Sequence, residues 1–540
     1  MPEGESLFCD VLISGSGIAG LRAALEAKAA GLSVIVVSKG PAGRQNSSFY
    51  AGGLLRPDPE EVKSVSGYET GIQKYLYEPE LLPLLSGPAA RREVESLISL
   101  GVPLEKHGKE YTPGSGEKSG PGGSAIMLPM LRKAMDMGIT VLGNKIVTEL
   151  LLSQGQVKGA LAMDEKGKLL QVSAKAVVLA TGGGAGIFEH NTNPPGITGD
   201  GYVLALRAGA ILENMEYIHF YPVGLVGFSF PHQRASPALL RNEGAVLVNG
   251  KGEDLVEKSL KMPLGRAIVI PTVRFEMLTR IIAKENSNGG AFLDLTGISP
   301  SSWENILSSP WNKAFVDRAP LDLRKEKCPV IPLAHTFLGG VKIDTTGQTS
   351  VPGLFAAGEV AGGAYCGEEG ASQLCRCLVM GALAGRNAAR LAQGMRSMRT
   401  KEQEWLPATS RVLAFVGRSW TESAEEVRRS ISRLVYAAMG PIREENTMQK
   451  TLKDLEAVDR RINSIKIEKP SHLQIALEAQ NMSILAKALL GTALRRKESR
   501  GPHFRSDFPN RDDSWFKRIF ISMDEKSQLK FSEQEITARS

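Results

Sequence analysis

The stretch from Asp10 to Ala30, DVLISGSGIAGLRAALEAKAA, constrains the fold most, because a short apolar strand runs through three glycines into an alanine-rich helix. Gly15 permits the tight turn out of the strand, Gly17 lets the backbone approach a pyrophosphate, and Gly20 lets the helix pack closely on the strand. The unpaired N–H groups at the start of that helix favour a phosphate. A second apolar strand, LSVIVVS, follows the helix. This arrangement predicts a dinucleotide-binding domain.

The end of that second strand indicates which dinucleotide is bound. NAD sites commonly carry an acid there that contacts the ribose. This chain reads Ser38, Lys39 and Gly40 instead, and neither a serine nor a lysine suits that contact. FAD is therefore the better prediction.

Composition and charge exclude several classes of function. The chain has 540 residues, too many for one core, and its 42% hydrophobic content and 57 glycines are typical of an α/β enzyme. The formal charge of +7 is spread along the chain, without the basic block of a nucleic-acid-binding protein. We predict no nucleic-acid partner.

The cysteines and the N-terminus bear on the compartment. Five cysteines lie far apart or as C-x-C, which favours neither a disulfide framework nor a metal or iron–sulfur site within the chain. The N-terminal residues MPEGESLFCD enter the first strand at once, and no apolar run is long enough to span a bilayer. We expect a cytoplasmic protein that reaches a membrane only through a partner, and the oligomeric state stays open, an oligomer included.

Further along the chain, the pattern alternates between glycine-rich loops and regular elements. Residues 145–183 contain three strand-like runs joined by tight turns, a β-meander that ends in the apolar run AVVLA. A second glycine-rich passage follows from Ala180 to Ala210, and a second strand–glycine–helix unit starts at GLFAAGE, with its helix beginning near Leu378. From residue 401 apolar positions recur at helical spacing.

These patterns predict an α/β fold. It comprises an FAD-binding Rossmann-like domain of the glutathione-reductase type, an inserted α+β capping domain and a C-terminal helical domain. The predicted boundaries are 1–221 and 335–400 for the two parts of the FAD-binding domain, 222–334 for the cap, 401–496 for the helical domain and 497–540 for a polar tail.

Seven motifs in the same order resemble the flavoprotein family of succinate dehydrogenase, fumarate reductase and L-aspartate oxidase, over nearly the whole chain. They are GSGIAGLRAAL, Ser38-Lys39, ATGGGAGIFEHNTNPPGITGDGYVLALRAGA, RNEGAVLVN, HTFLGG, GLFAAGEVAGG and ESRGPHFRSDFPNRDD. The resemblance implies that FAD is bound by Gly15, Ser16, Gly17, Ile18, Ala19, Gly20, Ser38, Lys39, Gly40, Asn46, Ser47, Gly52, Gly53, Ala180, Thr181, Gly182, Gly183, Asp200, Gly358, Glu359, Ser372 and Leu374.

The resemblance also implies catalytic roles. Arg241, in RNEGAVLVN, matches the arginine that moves a proton, Glu243 is a candidate relay, and His335 resembles the substrate-binding histidine. In many members a histidine of the early loop is bonded covalently to the flavin, but the aligned residue here is Asn46. Because an amide nitrogen is no nucleophile, we expect dissociable FAD.

Two departures from the family affect the substrate prediction. The family's QFHPTG reads HFYPVG, so that Tyr221 replaces a substrate-facing histidine and His219 stands two positions earlier, on the same face of a strand. In the family's HGANRLGGNSL, the arginine binds a substrate carboxylate through two hydrogen bonds. This chain reads YCGEEGASQLCRCLVMG there, with Glu368 and Glu369 nearby and Arg376 where the family has an acid. A glutamate repels a carboxylate, so a cationic, amino-bearing or one-carboxylate substrate fits better than succinate or fumarate.

The sequence therefore predicts an FAD-dependent oxidoreductase of a small molecule. Its candidate substrate-binding residues are His219, Tyr221, Glu368 and Arg376. The leading hypothesis is the flavoprotein subunit of a fumarate-reductase-like complex that passes electrons to an iron–sulfur partner. A stand-alone oxidase resembling L-aspartate oxidase and a non-catalytic flavin-binding scaffold are the alternatives.

Overall fold

The computed structural model describes residues 5–58, 80–113, 121–231, 233–235, 244–261, 264, 272–308, 310–362, 372–396, 400–416 and 421–536. Its strands are β1 (Glu5–Ser14), β2 (Val34–Val37), β3 (Leu104–His107), β4 (Glu110–Pro113), β5 (Thr140–Leu142), β6 (Lys145–Ser153), β7 (Gln156–Asp164), β8 (Leu169–Leu179), β9 (Leu212–Glu213), β10 (Ile218–Leu225), β11 (Val246–Asn249), β12 (Ala291–Asp294), β13 (Cys328–Phe337), β14 (Gly340–Val341), β15 (Leu354–Ala356), β16 (Lys517–Met523) and β17 (Leu529–Glu535). Its helices are α1 (Ile18–Ala29), α2 (Ser47–Tyr50), α3 (Pro88–Ser99), α4 (Ser124–Asp136), α5 (Asp200–Arg207), α6 (Leu255–Leu260), α7 (Thr272–Asn286), α8 (Pro300–Ser308), α9 (Pro310–Asp317), α10 (Gln373–Gln393), α11 (Glu402–Leu413), α12 (Ala424–Met439), α13 (Glu445–Ile462) and α14 (Pro470–Arg495).

The central sheet has the strand order β5-β2-β1-β8-β7-β6, and β15 also pairs with β8. β1 is parallel to β2 and β8, while β6, β7 and β8 form the antiparallel meander that the sequence predicts. Val34–Val37 is buried throughout, as expected for a parallel strand with both faces covered. The α/β fold predicted from the sequence is confirmed.

Helices α1 and α10 pack against each other across small residues. A Cβ added to Gly381 would meet the Ala19 carbonyl oxygen at 2.3 Å, and one added to Gly385 would meet the Ala23 carbonyl oxygen at 2.5 Å. This close contact brings the two strand–glycine–helix units side by side. α10 begins at Gln373, five residues before the predicted Leu378, because Ser372 at its N-cap is held by a bond from its N–H to the Arg56 carbonyl oxygen (2.7 Å).

The inserted segment forms a second layer around the sheet β10-β13-β12-β11. Its helices α6 to α9 share with this sheet an apolar core of their own, which runs from Tyr221 to Leu333. β10 and β13 lead into and out of the segment as an antiparallel pair. The predicted boundaries of the cap remain a prediction.

The C-terminal part is helical from α11 to α14, and α14 is buried along most of its length. Residues 497–536, which belong to the polar tail that the sequence predicts, include regular strands. β16 and β17 form a hairpin whose first strand pairs with β9, because Ile519 and Ile521 alternate onto the buried face. The outer strand β17 is mostly exposed, and its polar residues explain why the sequence predicts a polar tail.

Two features are absent from the described part of the chain. No helix there has the length and apolar character needed to cross a bilayer. Within the same residues, no group of three or more His, Cys, Asp or Glu side chains could hold a metal ion.

Candidate active site

A cavity of about 1000 Å³ opens at the carboxyl ends of the parallel strands β1, β2, β8 and β15. This is where open α/β sheets bind their ligands. All the residues predicted to bind FAD line it except Gly20 and Gly183. His335, from the end of β13, lines its cap side.

The glycine cradle at the start of α1 has the geometry that its sequence predicts. Gly15 has a φ of +115°, and a Cβ there would meet the Ala180 carbonyl oxygen at 2.1 Å. A Cβ on Gly20 would meet the Gly15 carbonyl oxygen at 2.0 Å, whereas one on Gly17 would make only an ordinary contact with Ser48. Gly20 therefore serves the packing of α1 on β1, and Gly17 leaves room at the helix N-terminus.

A buried charge network lies at the far side of the cradle, the predicted adenosine end. The Lys39 Nζ donates to Asp200 Oδ2 (2.7 Å) and contacts Glu478 Oε1 (2.9 Å), and Asn481 Nδ2 donates to Asp200 Oδ1 (2.8 Å). Burial opposes the charge on Lys39, but Asp200 and Glu478 outweigh it and raise its pKa. Likewise burial alone would raise the pKa of Asp200, yet Lys39 and its hydrogen bonds hold that pKa below its ordinary value. Both groups are thus charged at neutral pH.

Glu478 and Asn481 come from α14 of the C-terminal helical domain, and sequence reasoning missed them. The signal was a charged residue inside an otherwise apolar helix, LQIALEAQN, since a buried acid is normally paired. Their contact with Asp200 and Lys39 ties the helical domain to the cavity.

Glu359 occupies the second glycine-rich unit. Its Oε1 accepts a hydrogen bond from the Phe337 N–H (2.9 Å), and a Cβ on Gly183 would meet that oxygen at 2.0 Å. Burial raises the pKa of Glu359 to about 7, against a smaller opposite effect of the Phe337 N–H. Gly183 thus makes room for this carboxyl rather than lining the cavity.

Polar atoms without partners test whether the cavity suits a polar cofactor. Thr181 Oγ1 and Asn46 Nδ2 are buried, and neither has a hydrogen-bond partner among the described residues. Asn46 Oδ1 caps α2 by accepting from the Phe49 N–H (2.9 Å), which leaves the amide nitrogen as the spare donor. Because buried polar groups are normally satisfied, these atoms and the open cradle fit a ligand with hydroxyl and phosphate groups. FAD has such groups.

The cap side of the cavity is built around His335. Thr192 Oγ1 lies 2.6 Å from His335 Nδ1, and Asn193 Nδ2 donates to the His335 carbonyl oxygen (3.1 Å). Ser47 Oγ donates in turn to Asn193 Oδ1 (2.7 Å). Thr192 and Asn193 were missed as site residues, although NTN stands inside one of the seven family motifs. This chain of hydrogen bonds fixes His335 against the early glycine-rich loop.

His219 and Tyr221 approach His335 from β10, with ring centroids 6.0 Å and 6.1 Å from its ring. Neither lines the cavity, and the Tyr221 hydroxyl donates to the Ala235 carbonyl oxygen (2.7 Å). Burial lowers the pKa of His219 to about 4. Burial, together with the Arg234 guanidinium and His219, holds the pKa of His335 well below its ordinary value. Both imidazoles are therefore neutral at pH 7.

Two further lining residues stand out. Arg234 reaches the cavity from the cap, a position that sequence reasoning missed. Cys377 also lines it, and burial raises the pKa of its thiol to about 12, so it is no thiolate nucleophile at neutral pH. Arg376, its neighbour on α10, is buried and does not line the cavity.

The remaining predicted residues, Arg241, Glu243 and Glu368, lie outside the described residues, as does Glu369. Their roles stay predictions. The same holds for substrate contacts by His219, Tyr221 and Arg376.

Comparison with known proteins bears on the family. An FAD binding domain model matches residues 10–375, and a fumarate reductase flavoprotein C-terminal model matches residues 428–539. L-aspartate oxidase of Caulobacter vibrioides is 30% identical over 97% of this chain and 98% of its own. The chain belongs to this flavoprotein family of fumarate reductases, succinate dehydrogenases and L-aspartate oxidases. It is thus a member of a family of FAD-dependent oxidoreductases.

Other members of the family agree in length and fold. One component of the CoM/CoB fumarate reductase of Methanothermobacter marburgensis is 28% identical over 96% of this chain and 98% of its own. The apo Sdh1 complex of Mycobacterium smegmatis matches with a TM-score of 0.81 at 26% identity, over 99% of this chain and 96% of that chain. The quinol fumarate reductase FrdA of E. coli, at 23% identity and a TM-score of 0.84 over 99% and 98%, shows the same fold.

Proposed function

We propose that the chain is the flavoprotein subunit of a fumarate-reductase-like complex that oxidises or reduces a C–C bond beside a carboxylate. One observation carries the proposal: the FAD-type cradle and the His335–Thr192 pair line one and the same cavity. When bound, FAD accepts or donates a hydride at its ring. Several relatives are named as flavoprotein subunits, which supports a partner protein.

The residues of the first cradle, with Lys39, Asp200 and Glu359, would hold the cofactor. Glu359 and the spare donor of Asn46 suit hydroxyl and ring groups of FAD. Since Asn46 offers no nucleophile and His335 is the one histidine among the described lining residues, we propose non-covalent FAD. Acid precipitation then releases all of the yellow colour into the supernatant.

Around the substrate, the neutral His335, oriented by Thr192, would hold one hydrogen bond at its Nε2. Arg241, assisted by Glu243, would move the proton at the carbon next to the one that exchanges hydride. A guanidinium releases a proton reluctantly, with a pKa above about 12, so an acidic relay and exclusion of water are both required.

Anaerobic mixing of the FAD-loaded protein with a panel of carboxylic and amino acids tests the function. We expect one class of acid to bleach the flavin, and Arg241→Gln to slow that bleaching at least a hundredfold with FAD content unchanged. A flavin that no panel compound and no low-potential donor reduces would favour the non-catalytic scaffold.

The electron acceptor separates the two enzymatic candidates. Because the described residues hold no metal cluster site, electrons must leave the flavin for a partner, a quinone or oxygen. Co-purification of a cysteine-rich iron–sulfur protein supports the complex. Rapid hydrogen peroxide formation by the isolated chain supports the oxidase that the similarity to L-aspartate oxidase suggests.

A further inference from the structure

We infer that Arg234 anchors the carboxylate of the substrate, and that the substrate is a monocarboxylate with an apolar body. The inference deepens the proposed function and rests on it. In the family, the arginine of HGANRLGG binds a substrate carboxylate, but this sequence has no arginine at the aligned position. Arg234 would provide the missing cation.

Arg234 is held firmly at the cavity wall. Its guanidinium carbon lies 5.2 Å over the ring of Tyr221, and the Tyr221 hydroxyl donates to the carbonyl oxygen of Ala235, the next residue (2.7 Å). Of the two peptides that flank Arg234, the first has its Gln233 carbonyl oxygen bonded to the Leu225 N–H (2.8 Å), and the second has its Ala235 N–H bonded to the Val223 carbonyl oxygen (3.3 Å), both on β10. Both flanking peptides and the ring beneath are thus fixed, so the guanidinium is oriented before a ligand arrives.

The charge of Arg234 has no counter-charge among the described residues. No described carboxylate lies within ion-pair distance of it, and the side chain beneath it is the uncharged ring of Tyr221. After burial, its charge is the next largest cause of the low pKa of His335, which places the guanidinium close to that ring. A planar guanidinium of this kind binds a carboxylate through two parallel hydrogen bonds.

Other described cations that line the cavity lie at its adenosine end. Lys39 and Arg428 both pair with Glu478 there, and Lys145 begins β6 with its N–H bonded to the Ser38 carbonyl oxygen. On the cap side Arg234 is therefore the one described cation. Since the proposed function commits Arg241 to proton transfer, Arg234 is left as the anchor for one carboxylate.

The wall beside Arg234 is apolar. Phe230 and Pro231 line the cavity four and three residues before it, and the ring of Phe230 packs edge-on against Tyr50, with centroids 4.6 Å apart. A second carboxylate placed against these rings would lose its hydration without gaining a partner. An uncharged hydrocarbon body fits this wall.

Crotonate, crotonamide and fumarate are suitable probes, since they share one C=C bond and carry one, no and two carboxylates. Their binding to the FAD-loaded protein is measured by calorimetry and by the shift of the flavin spectrum. We expect crotonate to bind about ten- to a hundredfold more tightly than crotonamide, and fumarate no more tightly than crotonate.

Arg234→Gln should remove the preference for crotonate over its amide and leave crotonamide binding unchanged. Arg324→Gln is the matched control, because Arg324 is an exposed cap arginine that also stacks on a ring, that of Trp303 at 5.1 Å. Arg234→Lys keeps the charge but not the two parallel hydrogen bonds, so its preference for crotonate over crotonamide should lie between those of wild type and Arg234→Gln. If the glutamine variant loses its FAD, the lysine variant is used for the test instead.

Three results would overturn the inference: a wild-type protein that does not distinguish crotonate from its amide, an Arg234→Gln variant that keeps the distinction, or fumarate binding more than tenfold tighter than crotonate. Binding needs no turnover. A flavin that no compound bleaches therefore refutes the proposed function while this comparison still decides the role of Arg234.

Discussion

Replacing Glu359 by glutamine should change FAD affinity and the stability of the apoprotein in opposite directions. Glu359 lines the cavity, is buried, and has its Oε1 occupied by the Phe337 N–H. Its Oε2 has no partner among the described residues. We expect that oxygen, when ionised, to accept a hydrogen bond from a hydroxyl of FAD. Glutamine keeps the shape and removes the charge.

The magnitudes follow from the pKa of about 7, raised by burial from an ordinary value of 4.5. Folded apoprotein keeps a proton that the unfolded chain releases, so the stability contributed by this group is present below pH 4.5 and is lost as the pH rises to about 7. This loss of stability is at most roughly 3.4 kcal/mol. The glutamine variant has no such loss, and its apoprotein should have the higher melting temperature at pH 8 but not at pH 4.5.

FAD binding should show the reverse. Because the ionised carboxyl is the better acceptor, wild-type affinity should rise with pH by five- to tenfold in all, up to about pH 7, and then level off. At pH 8 the Glu359→Gln variant should bind FAD about five- to tenfold more weakly, the difference between a charged and a neutral acceptor. This difference should vanish near pH 5.5.

Fluorescence titration of apoprotein with FAD from pH 5.5 to 9, beside thermal melts of the same samples, measures both effects. Glu525→Gln, at an exposed turn, is the control. Wild-type affinity that does not vary with pH, together with equal melting temperatures of wild type and variant at pH 8, would refute the reasoning.

Two other substitutions test the cradle and the cap side. Gly20→Ala puts a methyl group 2.0 Å from the Gly15 carbonyl oxygen and should abolish FAD retention. The control is Gly297→Ala, where a Cβ meets nothing within 4 Å, and this variant should retain FAD and melt as wild type does. Retention of FAD by both variants would argue against the cradle. Thr192→Val removes the hydroxyl 2.6 Å from His335 Nδ1 and should slow flavin bleaching at least tenfold with unchanged FAD content, as measured by stopped-flow absorbance; unchanged bleaching would mean that the imidazole needs no orienting partner.

Local sequence determined the parts of this protein that depend on short-range physics. The turn at Gly15, the apolar strands and the meander follow from backbone freedom and side-chain alternation, which neighbouring residues suffice to specify. The family, too, was readable from ordered motifs, and both the fold class and the family membership are confirmed.

Tertiary structure decided what comes together from distant parts of the chain. Glu478 reaches Lys39 in the cavity from α14, and Arg234 enters the cavity from the cap. Residues of the predicted tail complete a sheet as β16 and β17. Hydrophobic periodicity does not predict such contacts. A buried charge depends on partners hundreds of residues away in the chain, and a polar strand depends on the sheet edge with which it pairs. The sequence determines which functional side chains the chain contains, and tertiary packing determines which of them line the cavity.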